Sequence, residues 1–298
     1  MKTKMFLILI CAVCLALAEP ARGSTYFVAT NGNDAAVGTN WLTARKTIQS
    51  AVDSALSGDT VLVSNGVYET GARAMPGLIV SNRVVIDKPL VVQSLNGPAV
   101  TTIRGNGPSG SNAVRCVWMT NGATLAGFTL TNGAVRLSSE STNIADISAG
   151  GVRAESMAGV LTNCILTGNQ GAARNATLNH CLVIGNTIGA SAAVLNDCDI
   201  SDNSFQGVIY STLSNCTLTD NGGRGAYGST LSHCIVTRNA GGGVESSTLS
   251  HCILEDNGAA DLPRAGGAMN SVLTNCTLTG RAVFEIVSPK GERITLHG

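Results

Sequence analysis

Four charged residues recur at one position of a repeated segment and could bind a metal ion or an acidic ligand. They are Asp202, Asp220, Arg238 and Asp256, each four residues after a cysteine. Carboxylates are typical Ca²⁺ ligands, and an arginine can pair with an anion or accept a proton where its surroundings permit. The alternative is a ladder of weak surface ion pairs. The sequence favours this ladder, and it leaves Asp202 and Asp220 as Ca²⁺ candidates and all four as catalytic candidates.

These positions belong to a repeat whose cysteines are separated by 17 or 18 residues, with one longer interval of 24. Each copy reads Val/Thr-Leu, two polar residues, Cys, any residue, an aliphatic residue, two more residues and Asn. The last copy has Arg281 instead of Asn. The cysteines are Cys164, Cys181, Cys198, Cys216, Cys234, Cys252 and Cys276, and the asparagines are Asn169, Asn186, Asn203, Asn221, Asn239 and Asn257. So short a period, rich in strand formers and glycine, predicts a stacked β-solenoid.

Equivalent residues of successive coils should form columns with a spacing of about 4.8 Å. The leucine before each cysteine, the cysteine and the following aliphatic residue should face the interior. The asparagines should form a ladder by pairing their amides with neighbouring rungs. The cysteines should be buried free thiols, because parallel side chains in a column do not converge as a disulfide or a metal site requires. Disulfides between some of the cysteines remain the alternative, since eight are left after Cys11 and Cys14.

Two further sets of residues face outward and could carry a function. The residue before each cysteine is polar, and His233 and His251 should be direct neighbours in that column. A solvated polar column is the favoured interpretation, and a catalytic or metal-binding pair is the alternative. Aromatic residues are too few for an obvious sugar-stacking platform. The candidates are Trp41, Trp118, Phe205, Tyr210 and Tyr227. The only sizeable excursions from the repeat should be residues 134–157 and 258–268, so no cleft-forming loop is expected.

The pattern Leu-x-Asn-Cys-x-Leu-x-x-Asn followed by Gly-Gly resembles right-handed parallel β-helix proteins of the pectin-lyase-like class. The segment TLAGFTLTNG at residues 124–133 fits the same register, with Phe128 at the cysteine position. The resemblance implies an all-β fold, a single right-handed parallel β-helix. Sequence blocks typical of polygalacturonases, such as Asn-Thr-Asp and Gly-His-Gly, do not occur.

Residues 26–70 resemble the opening of many secreted bacterial β-helix proteins. A strand is followed by an Asn-Gly-Asn-Asp turn, a short helix and the strand Thr60–Val63. Thr43 can cap a helix over about residues 44–56, with an apolar stripe that includes Ile48 and Val52. Such a helix should cover the open N-terminal end of the solenoid, where strand edges would otherwise be unpaired.

The first 18 residues read as a secretory signal peptide. Two lysines, an apolar run and Ala16-x-Ala18 predict cleavage after Ala18, or alternatively after Gly23, and an uncleaved anchor is the other interpretation. The β-helix domain should then span residues 24–281, followed by a tail at residues 282–298. No later segment is apolar enough to span a membrane, and the net charge of zero gives no sign of a nucleic-acid partner.

The sequence therefore favours a non-catalytic extracellular module for surface display, adhesion or glycan binding. Its partner would be an extracellular or cell-wall polysaccharide, and it would need no cofactor. The alternative is a divergent polysaccharide lyase or glycoside hydrolase that acts on an acidic polysaccharide, with Ca²⁺ as the cofactor of a lyase. A third interpretation is a fragment of a larger secreted protein.

Overall fold

The chain forms a single right-handed parallel β-helix with three strands in each coil. The computed structural model describes residues 23–258, 266–280, 283–287 and 293–297. The expected signal peptide lies outside the described residues, as does most of the second expected excursion. The predicted fold class is confirmed: the only α-helix in the described residues is short, and nearly every strand pairing is parallel.

Three mainly parallel sheets run along the solenoid, and each regular coil contributes one strand to each sheet, while Arg73–Ala74 and Arg293–His297 join the third sheet antiparallel. The first sheet contains Thr25–Val28, Thr60–Val63, Val91–Ser94, Thr124–Ala126, Val160–Thr162, Thr177–Asn179, Val194–Asn196, Thr212–Ser214, Thr230–Ser232, Thr248–Ser250 and part of Ala268–Thr274. The second sheet contains Gly66–Tyr68, Thr101–Arg104, Thr129–Thr131, Ile165–Thr167, Leu182–Ile184, Asp199–Ser201, Thr217–Thr219, Ile235–Thr237, Ile253–Glu255 and Thr277–Thr279. The third sheet contains Arg73–Ala74, Ser81–Ile86, Val114–Met119, Val152–Ala154, Ala173–Arg174, Ala190–Ser191, Val208–Ile209, Ala226–Tyr227, Val244–Glu245, Ala268–Thr274, Val283–Val287 and Arg293–His297.

The coils stack in one register, so each repeat position lies directly over its equivalent. Leu161 pairs with Leu178 in the first sheet, and Leu166 pairs with Val183 in the second. The coil before the cysteine repeats obeys the same register, because Leu125 pairs with Leu161, and Phe128 takes the buried position of the cysteines. Leucine, cysteine and aliphatic columns together fill one continuous interior.

Three corners join the sheets of a coil, and each needs a residue in the left-handed region. The first corner precedes the cysteine, the second lies four residues after it, and the third lies six residues before it. In the coil of Cys216 these positions hold Asn215, Asp220 and Tyr210, with φ of 54°, 55° and 50°. Asn, Asp and Gly tolerate this conformation best, which explains the polar residues and glycines that recur at the first two corners.

The N-terminal helix is shorter than expected and begins later. It spans Ile48–Ser54, and its N-cap is Thr47, not Thr43 as the sequence suggested. The carboxylate of Asp34 accepts hydrogen bonds from the backbone N–H groups of Lys46 and Thr47 at 2.9 and 2.8 Å. These bonds fix residues 44–47 in an extended path, so the helix cannot start before Thr47. Trp41–Thr43 instead forms a 3₁₀ turn capped by Asn40.

This helix covers the N-terminal edge of the third sheet. Ile48, Ala51 and Val52 are buried against the first coils. The amide of Gln49 accepts a hydrogen bond from the Val85 N–H at 2.7 Å and donates one to the Val85 carbonyl at 3.2 Å. Gln49 thus replaces the backbone groups that a preceding strand would have supplied, which is how an exposed strand edge is protected.

An excursion of residues 132–151 leaves the second sheet and lies over the third. The buried guanidinium of Arg115 donates to the carbonyls of Ala149 and Ser148, at 2.8 and 3.0 Å, and so fixes the returning part of the excursion. The carboxylate of Asp146 accepts from the backbone N–H groups of Ile79 and Val80, each at 2.9 Å. The excursion is therefore a fixed part of the surface.

The C-terminal boundary differs from the expected one. Residues 282–298 were expected to be a tail, yet Val283–Val287 pairs with Ala268–Thr274, and Arg293–His297 pairs antiparallel with Val283–Val287. The third sheet therefore continues beyond residue 281. In the part of the chain that the structure describes, no helix is both long and apolar enough to cross a membrane.

Replacement of Gln49 by Ala should destabilise the N-terminal coils. The change leaves the Val85 N–H and carbonyl without partners, and each unpaired buried group costs about 1–3 kcal/mol. Urea unfolding followed by circular dichroism should show a lower midpoint. The matched control is Gln93→Ala, because Gln93 is exposed on a strand of the first sheet. Equal midpoints for the two variants would contradict the capping role of Gln49.

Candidate functional site

The structure places the cysteines in a column at the first corner, with their thiols inside the coil. Cys116 and six of the seven repeat cysteines are buried. Cys276, which precedes the last strand of the second sheet, is half-exposed. All eight are free thiols. Each repeat thiol lies near the backbone carbonyl two residues before it, at 3.3 Å for Cys216 and Ser214. The column fills the corner as small apolar side chains do.

The asparagines form a continuous buried ladder at the second corner. The side-chain oxygen of Asn221 accepts from both the backbone N–H and the amide of Asn203, at 3.1 and 2.9 Å. The amide of Asn221 donates to Asn239 at 2.8 Å and to the carbonyl of Ile200 at 3.2 Å. The same pattern runs from Asn169 to Asn257. Each side chain therefore satisfies buried backbone groups where the chain leaves the second sheet.

A serine ladder at the third corner was missed in the sequence. The backbone N–H groups of Ala193, Ser211, Ser229 and Ser247 each donate to the serine hydroxyl of the next coil, at 3.1–3.2 Å. Each of these serines, including Ser271, donates to the carbonyl two residues before it. The sequence feature that could have predicted this ladder is a serine immediately before the Thr/Val-Leu pair in four consecutive copies, starting at Ser211.

The four charged candidates lie exposed on the second corner, and only two of them meet. Arg238 donates to both carboxylate oxygens of Asp220, at 2.9 and 2.8 Å, and this bond lowers the pKa of Asp220. All four residues have φ between 49° and 55°. Within the described ranges, no group of three His, Cys, Asp or Glu side chains is arranged to hold a metal ion. The arrangement of this column is that of a polar corner with one ion pair.

The histidines of the first corner are exposed and stack on each other. The rings of His233 and His251 are parallel within 4°, with centroids 5.0 Å apart. Asn275 lies 3.1 Å from the His251 ring nitrogen, and Ser232 lies 2.8 Å from that of His233. Among the described residues, these histidines do not join a group of three side chains that could hold a metal ion.

The structure reveals a cleft that the sequence analysis did not foresee. It has a volume of about 340 Å³ and lies on the outer face of the third sheet. Residues 147–149 of the excursion form one wall, while Arg174, Ser191 and Ile209 from successive rungs contribute to the floor. The expectation that no loop forms a cleft was therefore wrong, because the excursion folds back over the sheet.

Two tyrosines lie at one end of this cleft. Tyr210 lines it and is 63% exposed, although its φ of 50° is unfavourable for a bulky residue. Its ring lies against Gly228, the equivalent residue of the next coil, at a distance that a β-carbon there would not permit. The ring of Tyr227 meets that of Tyr210 edge to face, with centroids 5.5 Å apart. Trp41 and Phe205 are exposed, whereas Trp118 is buried beneath the excursion.

Arginines lie at the other end of the cleft. Arg174 is half-buried and donates to the hydroxyl of Ser191 at 3.2 Å. Arg153 precedes it in the same column, and its guanidinium donates to the hydroxyl of Ser148 in the wall at 2.9 Å. Arg153 also lies 5.7 Å from the centroid of the Trp118 ring. The cleft thus offers hydrogen-bond donors at one end and an aromatic surface at the other.

Residues 30–274 match the protein family described as "Protein of unknown function (DUF1565)". The chain belongs to this family. No curated protein matches the sequence. The family match covers the helical cap and almost all of the described coils, including both sides of the cleft.

Solved structures of other β-helix proteins resemble the chain in fold. Pectate lyase Pel9A has a TM-score of 0.57 at 14% identity, over 86% of this chain and 77% of its own. A rhamnogalacturonan lyase has a TM-score of 0.54 at 13% identity, over 89% of this chain and 84% of its own. The Dettilon tailspike protein has a TM-score of 0.53 at 13% identity, over 90% of this chain and 63% of its own. This chain therefore spans less than two thirds of the tailspike. The predicted pectin-lyase-like fold is confirmed.

Replacement of Asn221 by Ala should destabilise the solenoid by about 2 kcal/mol or more. The change removes the acceptor of the Asn203 N–H and amide, and these groups remain buried. The control is Asn196→Ala, since Asn196 is half-exposed and pairs with Asn179 on the outer face of the first sheet. Chemical unfolding of both variants measures the difference, and a control loss as large as that of Asn221→Ala would contradict the ladder role.

The buried thiols should make the protein sensitive to alkaline pH. Burial raises the pKa of Cys116 to about 12, whereas an unfolded cysteine ionises near about 8.5. Above about pH 9 the unfolded chain therefore releases protons that the folded chain retains, and stability should fall as pH rises toward about 12. Unfolding midpoints under reducing conditions at about pH 8 and about pH 10 should differ less for Cys116→Ala than for the unchanged protein.

Cys276→Ala is the control for this experiment, because Cys276 is half-exposed. It should leave most of the pH dependence in place. Alkylation should support the same point: the folded protein should react slowly, with Cys276 first, and the eight thiols should all react after denaturation without a reductant. Fewer than eight reactive thiols would indicate disulfides and would contradict the free-thiol column.

Proposed function

We propose that the protein is a non-catalytic extracellular module that binds a polysaccharide in the cleft of the third sheet. The observation that carries the proposal is the combination of Arg174, Ser191 and Tyr210 along one cleft of successive rungs. These side chains offer charged, hydroxyl and aromatic contacts in a row. Rungs repeat about every 4.8 Å, so a linear polymer lying along the cleft would meet a different contact at each rung.

The chemistry of these side chains suits a sugar. Sugar hydroxyls need hydrogen-bond partners, and binding sites supply a few placed polar groups on a largely apolar surface. The apolar C–H face of a sugar can pack on an aromatic ring such as that of Tyr210. The equivalent corner residues of the neighbouring coils are Ala192 and Gly228, so the exposed Tyr210 ring is available to a bound sugar.

An extracellular location is supported by the sequence of residues 1–18. The two lysines, the apolar run and the Ala-x-Ala site are typical of a cleaved signal peptide. A secreted protein with this cleft would meet extracellular or cell-wall polysaccharides. Surface display and adhesion are compatible with the same binding activity.

A catalytic function is the second candidate. The fold is similar to that of a pectate lyase and a rhamnogalacturonan lyase, which favours activity on a polysaccharide. The residues available for such chemistry are Asp202, Asp220, Arg238 and Asp256. Because Arg238 already occupies both oxygens of Asp220, a Ca²⁺ ion would have to compete with an existing ion pair.

Replacement of Tyr210 by Gly should weaken polysaccharide binding by up to about tenfold while the fold is kept. The change removes the aromatic surface, whose packing contributes about 0.5–1.5 kcal/mol. Glycine also suits the positive φ at this corner, which offsets the lost contact with the Tyr227 ring, so the variant should keep the fold. A polysaccharide array followed by titration calorimetry with the best ligand measures the loss.

Two controls separate the cleft from the rest of the surface. Phe205→Ala removes an exposed ring at the start of the loop that follows the second corner, and binding should be unchanged. The triple change of Asp202, Asp220 and Arg238 to Ala should also leave binding intact. Depolymerisation of a uronate polymer by the unchanged protein, lost in the triple variant, would establish the lyase function instead. Binding unaffected by Tyr210→Gly would contradict the cleft as the binding site.

A further inference from the structure

We propose that the polysaccharide bound by the cleft is anionic, and that Arg174 forms the subsite for its carboxylate or sulfate group. This inference rests on the proposed function and specifies its ligand. It follows from an unbalanced group of three arginines around one end of the cleft, Arg115, Arg153 and Arg174.

The positive charges in this group exceed the negative ones. Asp146 is the acidic residue whose charge acts on Arg115 and Arg153, and its carboxylate is already bonded to the backbone of Ile79 and Val80. Within the residues that the structure describes, no carboxylate lies in ion-pair range of Arg153 or Arg174. Arg115 and Arg153 thus share the charge of one carboxylate, and Arg174 lies beside Arg153 in the same column.

The positive charges of these arginines repel one another. Burial, and then the charge of Arg174, lower the pKa of Arg153. Burial and the charge of Arg153 likewise lower the pKa of Arg115. An anion in the cleft would relieve this repulsion, because an opposite charge favours the protonated form of a base.

Arg174 is the member of the group that a ligand can reach. Arg115 is fully buried and Arg153 is only 8% exposed, whereas Arg174 is half-buried and lines the cleft. Its guanidinium donates a hydrogen bond to the neutral hydroxyl of Ser191. The Nε group of Arg174 is buried without a hydrogen-bond partner among the described residues, so a carboxylate or a sulfate would bind at the terminal Nη groups, where arginine can contact two oxygens at once.

Arginines elsewhere on the surface provide the contrast. Arg224, which lies near the tyrosine end of the third sheet, pairs with Glu245 at 2.6 Å. Arg238 pairs with both oxygens of Asp220. The charge of Arg174 lacks such a partner, and its position on the floor places it within the path of a bound chain.

The test compares charged polymers with their neutral forms. The probes are polygalacturonate, its carboxyl-reduced form, a sulfated galactan and the same galactan after desulfation, each titrated into the full chain. The unchanged protein should bind at least one charged polymer at least about tenfold more tightly than its neutral form, and added salt should weaken that binding. The pair that shows the preference identifies the anion as a carboxylate or a sulfate.

Three variants locate the anion subsite. Arg174→Gln should abolish the preference for the charged polymer and its salt dependence, Arg174→Lys should retain part of both, and Arg224→Gln should change neither. Thermal unfolding of each variant shows whether the fold is intact. A preference that survives in a folded Arg174→Gln variant would overturn the proposal.

The remaining outcomes separate this inference from the proposed function. Equal binding of charged and neutral polymers would overturn the anionic ligand and leave polysaccharide binding in place. If the unchanged protein binds neither the four polymers nor a polysaccharide of the array, both the inference and the proposed function fail.

Discussion

The parallel hydrogen bonding between successive coils is the constraint on which the rest of the structure depends. Because every coil pairs in one register, a side chain at a given position must pack against its own equivalents on both sides. Interior positions therefore need side chains that tolerate stacking on themselves, such as leucine, cysteine and asparagine. The same register repeats the backbone conformation of a corner in successive coils, so a positive φ at a corner recurs in nearly every coil.

Buried corners raise a second requirement, because the chain must turn without leaving polar backbone groups unpaired. At the second corner the asparagine side chains accept from backbone N–H groups and donate to carbonyls that the sheets leave free. At the third corner each serine hydroxyl accepts from the backbone N–H of the preceding coil and donates to the carbonyl two residues before it. At the first corner the thiols make only weak contacts, so cysteine serves there mainly through its volume.

The repeat allowed the register, the interior columns and the asparagine ladder to be predicted from the sequence, because a stacked position reads the same in every copy. Phe128 shows the strength of this signal, since its coil could be aligned without a cysteine. The helix start at Thr47 could not be read in this way. It depends on the Asp34 carboxylate, which lies thirteen residues earlier and acts through the turn it stabilises.

The cleft could not be predicted for a related reason. Its floor comes from columns with no sequence pattern, in which Arg174, Ser191 and Ile209 succeed one another, and its wall comes from an excursion with no repeat at all. Tyr210 was a recognised aromatic candidate, but nothing in the sequence placed its ring over Gly228.

An excursion at the second corner leaves the neighbouring strands in register, because the asparagine ladder resumes directly after it. The Asn169 side chain accepts from the Gly133 N–H at 2.8 Å, across the point where the excursion departs. The solenoid can therefore carry an irregular wall on its third sheet without disturbing the first and second. The outward positions of the third sheet can differ from coil to coil, because their side chains are not confined to the interior columns, and Arg174, Ser191 and Ile209 occupy such positions. Repetition thus fixes the scaffold, and its local interruption provides a wall for the cleft on the outer face of the third sheet.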